Sequence, residues 1–301
     1  MYTKILVPLD GSPLSEGILP YARTFAKAFE ARVELLHVIE PEVISTFADP
    51  AHGRYADAVE ADIRRHGLAY LKPLAASLPE PSVVQCSAQV GEPADVIVDR
   101  GSAEAGTLIA MATRGRSGLQ RWVLGSVADK VLRTATNHLL LAHPAEPAKG
   151  STAAPLKTVV VPLDGSSLAE KALPLVVTLA KKMNLELILI RVHALPSPAL
   201  YASDEYVPNW VELTDQIRQE AKEYLEKKVE RLQREGLSRV SYVLIEGNGA
   251  AEIIDFARKT PEGLVAMCTH GRSGIRRILG SVSDRVVRHS GDPVLVIPPT
   301  S

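Results

Sequence analysis

Residues 111–132, MATRGRSGLQRWVLGSVADKVL, bring together residue types suited to holding an anion. They carry Gly115, Gly118 and Gly125, Arg114, Arg116 and Arg121, and a Gly125–Ser126 pair ahead of a helical pattern. Glycine lets a turn adopt positive φ and lets a ligand approach the backbone. A helix start presents free N–H groups and partial positive charge, and guanidinium groups suit phosphate oxygens. The same residues also fit a plain turn with a capped helix. Ser126-Val127-Ala128-Asp129 and Ser281-Val282-Ser283-Asp284 each read as an N-cap serine followed three residues later by an acid, and a cap needs no ligand. The segment recurs as MCTHGRSGIRRILGSVSDRVV at 267–287, carrying Cys268, His270, Gly271, Arg272, Gly280, Ser281, Val282 and Ser283. Neither copy is a P-loop, because GxxxxGK[ST] is absent.

Two further carboxylates bear on chemistry. Asp10 in Pro8-Leu9-Asp10-Gly11 and Asp164 in Pro162-Leu163-Asp164-Gly165 each end a strand pattern. Each reads either as a turn carboxylate or as an acceptor for sugar hydroxyls or an amino group. With phosphates bound nearby, Asp10 could also hold Mg²⁺. No HExxH, GxSxG or SxxK pattern occurs, and the histidines are scattered. His37 and His193 read as packed or site-lining, and His138 as structural. A dedicated enzyme is not expected. A slow hydrolase of a phosphate-bearing ligand is the weakest of three readings, behind a binding protein and a ligand-free interaction protein.

The elements that must position these residues appear twice. KILVPLDGSPLSEGILP (4–20) is answered by TVVVPLDGSSLAEKALP (158–174), and VGEPADVIVDRG (90–101) by EGNGAAEIIDFA (246–257). A period near 155 describes a duplicated domain. The expected organisation is one domain over 1–145, a Pro/Ala-rich linker over 146–156 and a second domain over 157–301. In each copy aliphatic strands alternate with helices. The first copy reads as strands at KILVPL, ARVELLHVI, SVVQCSAQV, TLIAMAT and HLLLAH. Its helices fall after Ser12-Pro13, over 55–78, at ADVIVDRG and over 126–135, and 40–54 reads as irregular. Ser167-Leu-Ala-Glu170 reads as a capping box in the second copy. This alternation predicts an α/β fold, a doubly wound parallel sheet of about five strands per domain. Ligands of such sheets sit beyond the strand carboxyl ends where strand order reverses, which is where the first and fourth strands would place Asp10 and the 111–132 segment. The unlike insertions, 41–56 and 194–212, read as loops. Tyr201, Tyr206 and Trp210 make the second an aromatic cover or lid.

Composition narrows the partners. With 34 Lys and Arg against 35 Asp and Glu, the net charge of −1 favours neither nucleic acid nor an anionic membrane surface. Cys86 and Cys268 fall in separate strand patterns and read as buried thiols in a reducing compartment. No apolar run reaches the ~18 residues of a membrane span. The opening residues read as a strand rather than a signal peptide, so a cytoplasmic location is expected.

Taken together, VPLDGS, LLHVIEP, VGEPADVIV and TRGRSGLQRWVLGSVADKVL give the chain a resemblance to tandem universal stress proteins over nearly its whole length. The resemblance implies two flavodoxin-like three-layer sandwiches with strand order 3-2-1-4-5. It also implies adenine nucleotide, ATP or AMP, bound through G-x2-G-x9-G-[S/T]. Carried over, that motif begins at Ala112 and continues through Gly115 to Gly125-Ser126. In the second copy it begins at Cys268 and runs through Gly271, with only eight residues before Gly280-Ser281. Val38 and Val192 would meet the adenine through their backbones, Asp10 and Asp164 would lie near ribose or base, and the glycines and serines would surround the phosphates. The residues beside these positions, among them Arg114, Arg116, Val127, His270, Arg272, Val282 and Ser283, complete the expected sites. The first site is expected to be the stronger. Family likeness further implies a stress-response role, pairing of the two last strands as an intrachain pseudo-dimer, possible homodimerisation and an unidentified protein partner.

Overall fold

The computed structural model describes residues 1–49, 51, 55–78, 83–113, 124–143, 154–193, 210–269 and 280–298. The chain divides into two compact units, the first reaching Pro155 and the second beginning at Leu156.

The first unit runs β1 (Lys4–Pro8), α1 (Pro13–Glu16), α2 (Leu19–Phe29), β2 (Arg32–Ile39), α3 (Pro41–Phe47), α4 (Ala56–Ala76), β3 (Val84–Val90), α5 (Pro93–Ser102), β4 (Thr107–Ala112), α6 (Ser126–Thr134) and β5 (His138–Ala142). All its strand pairs are parallel, in the order β3-β2-β1-β4-β5. The α/β class and the strand order are those expected from the alternation and the resemblance. The centre of the sheet is fully covered. Ile5, Leu6, Val7, Leu35, Leu36, Leu108 and Ile109 are all solvent-inaccessible, and burying each such side chain is worth about 1.5–3 kcal/mol. Helix α2 shows how sequence makes this cover. Leu19, Ala22, Phe25, Ala26 and Phe29 recur at helical spacing and are its buried face. Phe25 and Phe29 pack beside Tyr2, whose hydroxyl meets His138 Nδ1 at 2.9 Å. His138 is therefore structural.

The second unit repeats this plan with β6 (Thr158–Pro162), α7 (Ser167–Glu170), α8 (Leu173–Met183), β7 (Glu186–His193), α9 (Trp210–Arg234), β8 (Val240–Glu246), α10 (Gly249–Arg258), β9 (Gly263–Cys268), α11 (Ser281–His289) and β10 (Val294–Ile297). Its parallel order is β8-β7-β6-β9-β10.

Four local expectations are corrected. Residues 41–47, read as irregular, form α3. Pro41 starts it, Ile44 is its buried residue, and the Ser45 and Thr46 hydroxyls donate back to the Glu42 carbonyl. The cap of α7 is Ser166, whose hydroxyl accepts from the Ala169 N–H at 3.1 Å; Ser167 is already helical. Its Glu170 is drawn away to Tyr224 and Lys228. Trp210 opens α9 rather than lying in a loop, while Tyr201 and Tyr206 lie outside the described residues. Cys86 is half-buried rather than buried, because β3 is an edge strand of its unit; Cys268 is buried.

Candidate functional site

Strands β1 and β4 are neighbours at the centre of the first unit, and the connections leave them in opposite directions across the sheet. A cleft of about 300 Å³ opens beyond their carboxyl ends. From β1 and its turn come Pro8, Leu9 and Asp10; from β2, Leu36 and Val38; from β4, Met111, Ala112 and Thr113; from the start of α6, Gly125, Ser126, Val127 and Ala128. Pro93 and Ile97 of α5 close one side, the buried Ser15 adds a hydroxyl to the lining, and the exposed Glu40 reaches the rim.

The α6 terminus differs from the capped helix read from sequence. The N-cap is Gly125, in an extended conformation (φ −63°, ψ 153°), and Ser126 is the first helical residue. The cause is a backbone tie: the Gly125 N–H donates to the Thr113 carbonyl at 2.8 Å, holding the helix start against the end of β4. The first intrahelical bond runs from Asp129 N–H to the Gly125 carbonyl at 2.9 Å. The N–H groups of Ser126, Val127 and Ala128 therefore precede the helical ladder, at the positive end of the helix. Likewise Gly280, not Ser281, caps α11.

Asp10 is half-buried, and its Oδ1 accepts from both the N–H and the hydroxyl of Ser12, at 2.9 and 2.6 Å. It is thus a turn carboxylate that also lines the cleft. The Leu9 carbonyl lies 2.8 Å from His37 Nδ1, so that imidazole packs behind the turn.

The second unit has a matching cleft of about 380 Å³ lined by Pro162, Leu163, Asp164, Val192, Cys268, Gly280, Ser281, Val282 and Ser283, among others. It differs at the helix start. The Ser283 hydroxyl donates to the Cys268 carbonyl at 3.2 Å, where the first unit has Ala128 and Ala112. Burial pushes the Cys268 thiol up to about 11, so it is a neutral wall at pH 7 rather than a nucleophile. Ser15, a buried hydroxyl lining the first cleft, is answered by Ala169.

Every expected site residue within the described chain lines one of these two clefts. Arg114, Gly115, Arg116, His270, Gly271 and Arg272 lie outside the described residues. Sequence reading missed Leu36, Glu40 and Ile97 in the first cleft, and Gly249 and Ile253 in the second. Leu36 could have been found from strand alternation with Val38; Ile97 and Ile253 approach from helices, with no local sign of a site. Among the described residues no group of three His, Cys, Asp or Glu is placed to hold a metal ion, and no helix is long and apolar enough to cross a membrane.

Two switch-point clefts on a duplicated parallel sheet define a class, and comparison identifies the family. The model of the universal stress protein family matches residues 1–143 and 155–298. The chain belongs to the universal stress protein family, as a tandem member. It is 34% identical over 143 residues to universal stress protein MJ0531 of Methanocaldococcus jannaschii, covering 47% of this chain and 81% of the relative. It is 26% identical over 302 residues to a universal stress protein of Mycolicibacterium smegmatis, covering 98% and 97% of the two chains. A solved universal stress protein from Archaeoglobus fulgidus shares the fold over 100% of both chains, with a TM-score of 0.72 at 22% identity.

Proposed function

We propose that the clefts bind an adenine nucleotide, ATP or AMP, and that the protein acts through nucleotide-dependent conformation or partner binding rather than turnover. One observation carries this reading. The first cleft places an apolar slot (Leu36, Val38, Ile97, Met111), a carboxylate rim (Asp10, Glu40) and a helix start with no side-chain cap bond around one space. Those three features suit a base, a sugar and a phosphate chain respectively. Asp10 is the described residue that would meet Mg²⁺ accompanying the phosphates. The family resemblance supports the same assignment. Isothermal titration of ligand-stripped protein with ATP, ADP and AMP tests it: heat with at least one is expected, and no heat with any overturns the proposal.

The second cleft is the weaker of the two on this reading. There the Ser283–Cys268 bond engages a first-turn side chain with the strand end. Two ATP bound per chain with unequal affinity would support that ranking.

A further inference from the structure

Tyr70 on α4 touches the Leu9–Asp10 turn through two arms. Its hydroxyl donates to Glu16 Oε1 at 2.9 Å. Glu16 ends α1, the short helix capped by Ser12, and Ser12 in turn holds the Asp10 carboxylate. The Ser15 hydroxyl accepts from the Asp10 N–H at 3.3 Å and donates to the Ser12 carbonyl at 2.8 Å, closing this arm. In the other arm the Tyr70 ring lies edge-on to His37, ring centroids 5.8 Å apart, and His37 Nδ1 meets the Leu9 carbonyl.

The second unit builds the same brace with different chemistry. The Tyr224 hydroxyl donates to Glu170 Oε1 at 2.8 Å, and Lys228 pairs with Glu170 at 2.7 Å. The residue matching His37 is Arg191. Its guanidinium carbon lies 4.9 Å from the Tyr224 ring centroid, and a Cβ at Gly165, beside Asp164, would meet the same group at 3.4 Å. The tyrosine–glutamate strut is present in both units although its second arm has changed from imidazole to guanidinium. Burial, followed by the facing carboxylate, raises both tyrosine hydroxyls well above their ordinary range, so both remain donors at neutral pH.

We infer that Tyr70 and Tyr224 are positioning residues for the two clefts: each holds the aspartate turn in ligand-binding geometry from its own helix, α4 or α9, without touching ligand. This rests on the nucleotide reading above.

The test uses the full chain carrying Gly280→Asp, so that ATP titration reports the first cleft. Tyr70→Phe is expected to weaken ATP about fivefold, the scale of one hydrogen bond. In an Asp10→Ala background the same change should cost less than about twofold, because the brace acts through the Asp10 carboxylate. Equal losses in both backgrounds overturn the inference, since a general packing defect would add. Glu16→Gln, which keeps an acceptor oxygen, should hold ATP affinity near that of the parent, while Glu16→Ala should match Tyr70→Phe. Should Tyr70→Phe fail to fold, this pair decides: equal affinities for Gln and Ala overturn the inference. An unmodified chain that binds no ATP overturns the nucleotide reading and this inference together, whereas a binding chain indifferent to Tyr70 overturns the inference alone.

Discussion

Asp292, just ahead of β10, has a buried Oδ2 with no hydrogen-bond partner among the described residues. Burial pushes its carboxyl up to about 6, against a smaller opposing pull from Arg258. Between the unfolded value near 3.8 and about 6 the folded chain binds more protons than the unfolded chain, so Asp292 makes stability fall as pH rises through that window. Solvent screens part of the effect, leaving about 1 kcal/mol. Asp292→Asn should therefore raise the thermal midpoint at pH 7.5 and do little at pH 4; an unchanged midpoint at pH 7.5 would refute this. Glu34 behaves oppositely. Burial would raise its carboxyl, but Lys4 and Arg100, each 2.7 Å away, outweigh burial and hold it low. Its contribution is present above the unfolded carboxylate value and is lost on acidification. Glu34→Ala strands two cations and should cost about 3–5 kcal/mol by denaturant titration.

Among the elements, the starts of α6 and α11 make the sharpest case. Gly125 is extended rather than left-handed, so its φ imposes no bar to a side chain, and aspartate is a favourable cap. Gly125→Asp should keep or raise the thermal midpoint while setting a carboxylate where the anion would sit. ATP affinity in the first cleft should fall at least about tenfold, and a larger loss from Gly280→Asp would reverse the proposed ranking of the clefts. The strands were legible because a parallel sheet covered on both faces demands unbroken aliphatic runs such as KILVP and TLIAMA. Helix α3 was not, since seven residues with adjacent Val43 and Ile44 give too little periodicity to outvote a loop. The caps were misplaced by one residue because the deciding contact at α6, Gly125 N–H to the Thr113 carbonyl, joins residues with no local pattern. The Glu16–Tyr70 contact links positions 54 apart in sequence and was invisible for the same reason.

At the scale of the molecule, duplication explains both the symmetry and its breaks. Lys4, Glu34 and Arg100 correspond to Thr158, Ile188 and Phe256, so the buried ionic cluster belongs to the first unit alone. Acid should consequently destabilise the first unit ahead of the second, as hydrogen exchange resolved by unit at falling pH would reveal; simultaneous loss would contradict it. The clefts have diverged too, with Ser15 against Ala169 and Ala128 against Ser283. Because both lie on one polypeptide, their ratio is fixed at one to one whatever the expression level. On the proposed reading, two nucleotide clefts of unequal strength, locked in equal number, would fill in succession as ligand accumulates, so their combined response would span a broader range of concentration than either gives alone. Divergence between the halves would then turn a duplicated fold into a gauge with two overlapping scales.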